Sequence, residues 1–460
     1  MKEGRRVLQK GEHGDPEQTS RLYLTEHASP VAIEHAAFFY DAAKGSRHAG
    51  HASLILEGGH VRINGSFGHC GLAAEQPHPP RPATSQPVNN ACFRFFFVLY
   101  LITLFLLSSD KGIAFFGFRS FAEPIIVYFI ARSIRVPLDL FLRYLKWMVV
   151  LGTLISLWAI FQAGVLGEDF LVKMGYDVLG VPNTDPSRPL SNAFYLSLTR
   201  TIRAIGTFNS PNNFGNYLEI VIVFTVFLIS SGLLKRRFWG GLSLAVLFSG
   251  LLYSFSRSAW IALFLAMAFF SMLTATFCRN IKRFMAVASI MVLVFIAGRQ
   301  FIPGTIIPLT AAHVSHSITL EDPSARTHVL SLKEGVERLL SEPLGTGLGT
   351  SGPRSRQKGF FHSENSFIIL GFDAGVLGLL IYLVFLSSIA YDLLRKILFV
   401  REDLIKTIAV SGFCIFVGQI FVWMVLPGIV ELENSLVFFS LLAVIQSISD
   451  NVLKEGTEAC

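Results

Sequence analysis

The fold is decided by residues Gly241–Phe277, which read GLSLAVLFSGLLYSFSRSAWIALFLAMAFFSMLTATF. The main polar interruption of this apolar run is the stretch Ser254-Phe255-Ser256-Arg257-Ser258. A bilayer core of about 30 Å is crossed by about 20 residues of apolar helix, so one unbroken helix of this length would need an extreme tilt. The pattern therefore predicts two membrane-spanning helices joined by a tight turn at Arg257.

The composition of the whole chain also indicates a membrane protein. Of its 460 residues, 52% are apolar, 15% are charged and 42 are Phe, whereas soluble chains carry about 25% charged residues. The long apolar runs predict an all-α fold, a polytopic transmembrane helix bundle of about ten spans. The predicted spans are Ala91–Ser108, Phe121–Ile134, Phe141–Ala163, Asn216–Leu234, Gly240–Phe255, Ser258–Phe277, Phe284–Ile302, Ser366–Leu393, Thr407–Val430 and Leu432–Ile448.

Lysine and arginine residues indicate the orientation, because cytoplasmic loops are enriched in them. Basic clusters fall in alternate loops, near Arg135, Arg236, Lys282 and Lys396. If these loops are cytoplasmic, both chain termini are cytoplasmic as well. The loops on the outer side are then Asp110–Arg119, 164–213, the Arg257 turn and 303–365. The net charge of +7 is thus a topology signal, and it predicts no nucleic-acid partner.

The first 88 residues differ in kind from the rest. They are polar, hold eight of the twelve histidines, and end in a proline-rich stretch at 76–82. This composition predicts a disordered segment, or an extension upstream of the true start codon. A cytoplasmic metal-binding tail is the alternative, but the histidine spacing is irregular for a metal site. The remaining boundaries predict a transmembrane domain over 89–450 and a cytoplasmic tail over 451–460.

Two outer loops, 164–213 and 303–365, are long enough to have structure of their own. In the second loop, apolar residues recur at near-helical spacing over Ser324–Leu340, which predicts a helix lying on the membrane surface over the bundle. The glycine-rich run Gly345–Gly349 lacks the Gly-Lys-Ser/Thr ending of a phosphate-binding loop. We interpret it as a flexible turn.

Three arginines stand at the outer ends of predicted elements. Arg203 precedes the fourth span, Arg257 lies in the turn, and Arg326 starts the surface helix. Guanidinium groups at this interface suit a phosphate or diphosphate, which they bind through forked, charge-assisted hydrogen bonds. The alternative is that each side chain only extends its charged tip to lipid headgroups.

A second candidate site lies at the end of the outer loop 303–365. His362 and Glu364 stand two residues apart, just before Asn365, and either side chain could act as a general base. The alternative is that Ser363 or Asn365 caps the following helix and Glu364 interacts with the helix dipole. Taken alone, these residues favour the capping interpretation.

A series of short motifs follows along the chain in a fixed order. They are Arg203-x-x-Gly206-x-Phe208-x-x-Pro211-Asn212, Ser256-Arg257-Ser258, Arg326, Pro343-Leu344-Gly345-x-Gly347, Glu364-Asn365-x-Phe367 and Gly375-Val376-Leu377-Gly378. Together they resemble the O-antigen ligase and polymerase superfamily, over Leu140 to about Leu393. The resemblance implies an inverting, all-helical C-type glycosyltransferase of the bacterial inner membrane. Such an enzyme moves a glycan from undecaprenyl diphosphate to an acceptor hydroxyl on the periplasmic face, and it uses no metal, cofactor or nucleotide sugar.

The resemblance also implies roles for the candidate residues. Glu364 is expected to be the catalytic base with His362 as its neighbour, and Arg203, Arg257 and Arg326 are expected to bind the diphosphate, with Arg203 also catalytic. The expected partners are an undecaprenyl-diphosphate-linked glycan donor, a glycan or lipid-linked acceptor, and membrane lipids.

One position departs from the ligase pattern. In the ligases a His-Asn pair stands eleven residues before the first Gly of Gly-x-x-Gly, and here that position is Glu364, followed by Asn365. Either Glu364 replaces the histidine, as expected of polysaccharide polymerases, or His362 reaches the same point from a shifted helix start. The departure favours a polymerase or a related transferase over a strict ligase.

Two other classes of function stay open at this stage. A transporter or flippase of polysaccharide export would use ionisable groups within the spans, where Asp373 and Glu219 lie. A non-catalytic partner in envelope assembly would leave the outer motifs without a purpose. The concentration of arginine and carboxylate residues at the outer ends of the spans favours the transferase.

The predicted orientation can be tested with single cysteine substitutions. We expect a membrane-impermeant thiol reagent, applied to intact cells, to label Arg356→Cys and not Arg236→Cys, because the first lies in an outer loop and the second in a cytoplasmic one. The native chain is the control, since its five cysteines fall in predicted spans or cytoplasmic segments. Labelling at position 236, or its absence at 356, would invert or break the topology.

Overall fold

The structure, a computed structural model, describes residues 53–57, 60–64, 88–176, 190, 194–196, 201–234, 236–277, 323–351 and 363–458. The chain divides into two units, Met1–Ser85 and Gln86–Cys460. In the first unit, β1 (Ser53–Glu57) pairs antiparallel with β2 (His60–Asn64), with Ser53 opposite Asn64. The sequence did not predict this hairpin, and the rest of the first unit lies outside the described residues.

The second unit is built of α-helices, which confirms the predicted fold class. The described helices are α1 (Val88–Leu107), α2 (Lys111–Ser133), α3 (Leu138–Phe161), α4 (Gly167–Lys173), α5 (Pro211–Ser230), α6 (Arg237–Tyr253), α7 (Arg257–Phe277), α8 (Pro323–Ser341), α9 (Ser366–Phe399), α10 (Asp403–Val425) and α11 (Leu432–Glu458). A π-helical turn, Gln162–Leu166, joins α3 to α4, and a 3₁₀ turn, Gly428–Val430, precedes α11. The predicted tail 451–460 therefore begins within α11.

Seven described segments are long and apolar enough to cross a membrane: α2, the segment Leu138–Lys173 that contains α3, α5, α7, α9, α10 and α11. Two further apolar helices, α1 and α6, are shorter over their described residues. These nine helices coincide with nine of the predicted spans, and the remaining one, Phe284–Ile302, lies outside the described residues. Large apolar side chains such as Trp147 and Leu154 of α3 are exposed, as expected of a surface in contact with lipid.

We call the end of the bundle where α2, α5, α7, α9 and α11 begin the upper end. At this end, α2 begins earlier than predicted, so the expected loop Asp110–Arg119 is wrong. Asp110 caps α2 by accepting a hydrogen bond from Ile113 N at 3.1 Å, and Lys111 Nζ donates to Leu106 O at 2.6 Å at the end of α1. Arg119, which the sequence analysis placed in this loop, lies on α2 and pairs with Glu123 one turn further along, at 2.7 Å.

The helix α5 lies at the centre of the bundle and is the most buried of the seven membrane-spanning segments. It packs against α6, α7 and α10. At its upper end, a Cβ atom added to Gly215 would lie 2.9 Å from Ser256 Cβ. This close approach brings the start of α5 against the turn between α6 and α7.

The turn between α6 and α7 confirms the prediction made from the polar interruption. It spans three residues, Ser254 to Ser256, and Phe255 has a φ of 47°, in the left-handed region that non-glycine residues rarely adopt. Ser254 Oγ accepts a hydrogen bond from Ser256 N at 3.2 Å. Arg257 is thereby placed at the first residue of α7.

Four charged side chains join three helices at the lower end of the bundle. Arg132 of α2 pairs with Asp450 of α11 and lies 3.5 Å from Asp392 of α9. Lys396 of α9, which is buried, pairs with Asp392 and lies 3.1 Å from Asp450 Oδ1. Two cations and two carboxylates thus compensate one another where isolated charges would be costly.

The glycine-rich run Gly345–Gly349 is not the flexible turn that the sequence suggested. Thr346 N donates to Phe372 O at 2.6 Å, and α9 is kinked beside it at Gly375, whose φ is 70°. A Cβ atom added to Gly375 would lie 2.7 Å from Leu344 O. The glycines permit this contact of backbone against backbone, so they mark close packing and not mobility.

The kink makes a direct prediction about stability. We expect Gly375→Ala to lower the free energy of unfolding by at least about 1–2 kcal/mol, because an L-residue is strained at positive φ and its Cβ would overlap Leu344 O. Thermal unfolding of the purified protein in detergent measures the change.

The matched control for this substitution is Gly241→Ala in α6, where an added Cβ meets no atom within 4 Å. In a helix interior, alanine is favoured over glycine by about 1 kcal/mol, so the control is expected to be neutral or stabilising. Equal melting temperatures for the two variants would contradict the assigned packing.

Candidate functional site

The upper end of the bundle carries the candidate site. Because α2, α5, α7, α9 and α11 all begin there, the positive ends of five helix dipoles point toward this face. Such helix starts favour anions. The segments that connect the helices at this end hold most of the residues singled out from the sequence.

Arg203 is held in the segment that leads into α5. Its Nε donates to Ser254 O at 2.8 Å, and its Nη2 donates to Asn212 Oδ1 at 2.7 Å. Its backbone N–H donates to Phe194 O at 2.9 Å, and Ala204 N donates to Tyr253 O at 2.8 Å. The half-buried guanidinium therefore bridges the α6–α7 turn and the first turn of α5. Arg203 is thus bonded within the protein, and it is not an arginine that only extends its tip to lipid headgroups.

Arg257 lies beside Arg203. Burial, together with the positive charge of Arg257, lowers the pKa of Arg203 to about 9, so its guanidinium stays protonated at neutral pH. Two like charges kept close together repel one another. An anion bound between or above them would relieve that repulsion.

A chain of asparagine side chains extends the site toward α11. Asn213 Nδ2 donates to Asn209 Oδ1 at 2.6 Å, and Asn209 Nδ2 donates to Glu431 Oε2 at 3.3 Å. Asn434 Nδ2, from the first turn of α11, donates to Asn213 O at 2.9 Å. These bonds tie the segment that carries Arg203 to the connection between α10 and α11.

The same connection holds the start of α9. Asn365 caps α9, with its Oδ1 accepting from Phe367 N and Ile368 N at 2.9 and 3.0 Å, while its Nδ2 donates to Met424 O at 2.5 Å. Ser366 Oγ donates to Leu426 O at 2.7 Å. Glu364 thus lies one residue before the cap, half-buried, on a backbone fixed to the end of α10.

The structure brings some of the predicted site residues together, and others lie outside the part of the chain that it describes. Arg203 and Arg257 are neighbours, and hydrogen bonds through α5 and the α10–α11 connection join their segment to the one that carries Glu364. Arg326 lies in the first turn of α8, and His362 lies outside the described residues.

The sequence analysis missed Asn209, Asn213 and Glu431 as parts of this network. The run of asparagines and serine around Pro211 was a signal, since these residues favour helix starts.

Comparison with known protein families matches the part of the chain that contains much of this site. Residues 242–383 match a family model described as O-antigen ligase. This match covers about a third of the chain and supports membership of the O-antigen ligase and polymerase family. The matched segment runs from α6 into α9 and contains Arg257, Arg326 and Glu364, whereas Arg203 precedes it. A search of curated proteins found no match.

The match to this family and the helical bundle together support a glycan-transfer function at a membrane. Within the described part of the chain, no three His, Cys, Asp or Glu side chains are grouped as a metal site would require. On the segments that carry Arg203 and Glu364, the described hydrogen-bonding side chains include arginine, asparagine, serine and glutamate, and arginine is well suited to an anion.

Of the two ionisable residues that a transporter would use, Asp373 has local partners for both carboxylate oxygens and Glu219 has one for a single oxygen. The carboxylate of Asp373 in α9 accepts hydrogen bonds from Gly349 N at 2.7 Å, Ser351 N at 3.1 Å and Ser351 Oγ at 2.6 Å. Glu219 Oε2 in α5 accepts from Gln419 Nε2 at 2.8 Å. Asp373 thus fastens the glycine-rich loop to α9, and this gives it a structural reason to be in a span.

The two bonds of Arg203 predict how it tolerates lysine. We expect Arg203→Lys to lower transfer activity by about 10–100-fold, because lysine keeps the charge but lacks the planar fork that reaches Ser254 O and Asn212 Oδ1, and a hydrogen bond to a charged group is worth about 1.5–3 kcal/mol. Transfer from a lipid diphosphate donor in membranes measures the loss, with protein levels and melting temperature recorded.

The matched control is Arg338→Lys on α8, where an exposed arginine pairs with Glu334 at 2.7 Å. Exposed pairs contribute about 0–1 kcal/mol, so this variant is expected to keep its activity. If Arg203→Lys is as active as Arg338→Lys at equal protein levels, the forked bonds of Arg203 are unimportant for transfer.

Proposed function

We propose that this chain is an inverting, metal-independent membrane glycosyltransferase of the C type. It moves a glycan from undecaprenyl diphosphate to an acceptor hydroxyl at the periplasmic face of the bacterial inner membrane. The observation that carries the proposal is a network of hydrogen bonds at the upper end. It joins Arg203 to the turn before Arg257, and it joins the segment that carries Arg203, through the α10–α11 connection, to the start of α9, where Glu364 lies. Residues 242–383 of the same chain match the O-antigen ligase model.

The arginines support the binding of a diphosphate. Arg203 and Arg257 lie close enough for one to lower the pKa of the other, and the starts of α5 and α7 add positive dipole ends at the same place. A diphosphate leaving group gains negative charge as the glycosidic bond to it breaks. Cationic groups positioned in advance stabilise that developing charge. We assign Arg326, in the first turn of α8, to the same donor.

Glu364 is the proposed base. An acceptor hydroxyl is a weak acid, so its proton has to leave as the oxygen attacks the anomeric carbon, and a carboxylate can take it. The cap of α9 belongs to Asn365, which accepts both N–H bonds of the first turn. This cap is the one that the capping interpretation expected, and Asn365 makes it with its own side chain. The choice of Glu364 as the base therefore rests on its position relative to Gly375, and His362 is assigned as its neighbour.

The identity of the base favours a polymerase over a strict ligase within the family. The Gly-x-x-Gly motif starts at Gly375, the kink of α9, so the position eleven residues before it is Glu364. We propose that a carboxylate replaces the histidine of the ligases there. The acceptor is then a second lipid-linked glycan, and the product is a longer chain on undecaprenyl diphosphate.

Replacement of the base by its amide tests the proposal. We expect Glu364→Gln to lower turnover of a purified lipid diphosphate donor by about 10²–10⁴-fold with donor binding retained, because the amide keeps size and hydrogen bonding but cannot accept the proton. If Glu364 only interacted with the helix dipole, the change would be worth about 0.3–1 kcal/mol and turnover would hardly fall.

Two further variants complete the experiment. Glu337→Gln, an exposed position on α8, is the matched control and is expected to stay active. His362→Gln is expected to cost less than Glu364→Gln. If His362→Gln is inactive while Glu364→Gln is near wild type, the base is the histidine and the chain belongs closer to the ligases.

A further inference from the structure

The helix α8 presents one side to the bundle and leaves a second, apolar side uncovered by the described residues. Its inner side packs on the start of α9: a Cβ atom added to Gly335 would lie 2.7 Å from Ile368 Cγ2, and one added to Gly371 would lie 2.9 Å from Leu339 Cδ1. Next to this contact, Leu332, Val336 and Leu340 follow at intervals of four residues and are exposed. We call these three residues the apolar strip.

The charged residues of α8 lie on the other side of the helix. Lys333, Glu334, Glu337 and Arg338 are all exposed, and Arg338 Nη2 pairs with Glu334 Oε1 at 2.7 Å. At 100° per residue, the apolar strip lies between the inner side and this charged side. The helix therefore has three sides: one against α9, one apolar, and one that carries these four charged residues together with the exposed Leu330.

The apolar strip continues onto a surface that already faces lipid. Just beyond the end of α8, Leu344 is 90% exposed, and the turn that carries it is held on α9 by the bond from Val376 N to Pro343 O at 2.9 Å. The next residue of α9, Leu377, is 59% exposed, and Leu380 follows one turn later. α9 is long and apolar enough to span the membrane, and the turn at Pro343–Leu344 connects the end of the strip to the part of α9 that carries these two leucines.

We propose that α8 is an interfacial helix whose apolar strip inserts among the acyl chains of the bilayer, with the charged side toward water. The sequence predicted only that this helix lies on the membrane surface. The structure assigns which residues enter the lipid, from the continuity of the strip with the lipid-facing leucines of α9 and from the charged residues on the opposite side. Helices with this division of faces lie in the plane of the interface.

A consequence follows for the upper end of the bundle. α8 is attached on its inner side to α9 through Gly335 and Leu339, and on its apolar strip to the lipid. The contact with lipid then fixes how deep α8 lies in the interface, and the contact with α9 fixes where it lies on the bundle. α8 thus lies along the side of the bundle that faces the membrane. This inference concerns lipid contact alone and holds whatever reaction the upper end performs.

The test uses the unmodified full-length protein in vesicles of phosphatidylethanolamine and phosphatidylglycerol. A small share of the lipid carries a trifluoromethylphenyl-diazirine on an acyl chain, and mass spectrometry maps the residues labelled after illumination. We expect labelling at Leu332, Val336 and Leu340 comparable to that at Leu380 of α9, and severalfold weaker labelling at Lys333 and Arg338 on the same helix.

A second arm uses Val336→Asp combined with Leu340→Asp. The two carboxylates should withdraw the strip from the acyl chains and lower labelling of Leu332 severalfold, while Leu380 is labelled as before. The inference is overturned if the apolar strip of the unmodified protein is unlabelled while Leu380 is labelled, as expected if a second copy or another protein covers it. It is overturned equally if both sides of α8 are labelled alike.

Discussion

A bilayer offers no hydrogen bonds to the polypeptide backbone, and every backbone group within it has to find a partner in the protein. Helices satisfy this condition by themselves, but a loop packed against a membrane-spanning helix does not. Here the glycine-rich loop rests on the kink of α9, and Asp373 accepts hydrogen bonds from Gly349 N and Ser351 N. One buried carboxylate thus permits a non-helical segment to pack among the upper ends of the helices, on α9, the helix that begins two residues after Glu364.

The upper connections are joined to one another by side-chain hydrogen bonds. Ser366 Oγ bonds to Leu426 O, Asn209 to Glu431, and Asn434 to Asn213 O. Short side chains that are bonded in this way hold the connections in fixed relative positions. This rigidity suits a reaction in which a lipid-linked leaving group and an acceptor hydroxyl have to be aligned. It also explains why asparagine and serine are frequent there, since both bond readily to nearby backbone.

Much of the bundle was predictable from local patterns. The two apolar runs on either side of Arg257 form α6 and α7. Asn365, one of the two residues predicted as a possible cap, caps α9. The errors arose where a local signal had two physical meanings. Arg119 was placed in a loop before the second span but pairs with Glu123 along α2, and the glycines of 345–349 suggested mobility but allow close contact with α9 and α2.

The sequence by itself determined that the chain is a polytopic helical membrane protein with basic and acidic residues gathered at the ends of its helices. The hydrophobic length needed to cross a bilayer and the periodicity of helices are local properties, so they are readable along the chain. Only the tertiary structure decided that Arg203 bonds to Ser254 O, that Arg257 lies beside it, and that Asn209 reaches Glu431. These partners are up to 222 residues apart in sequence, and their contact follows from how the helices pack, which no single segment encodes.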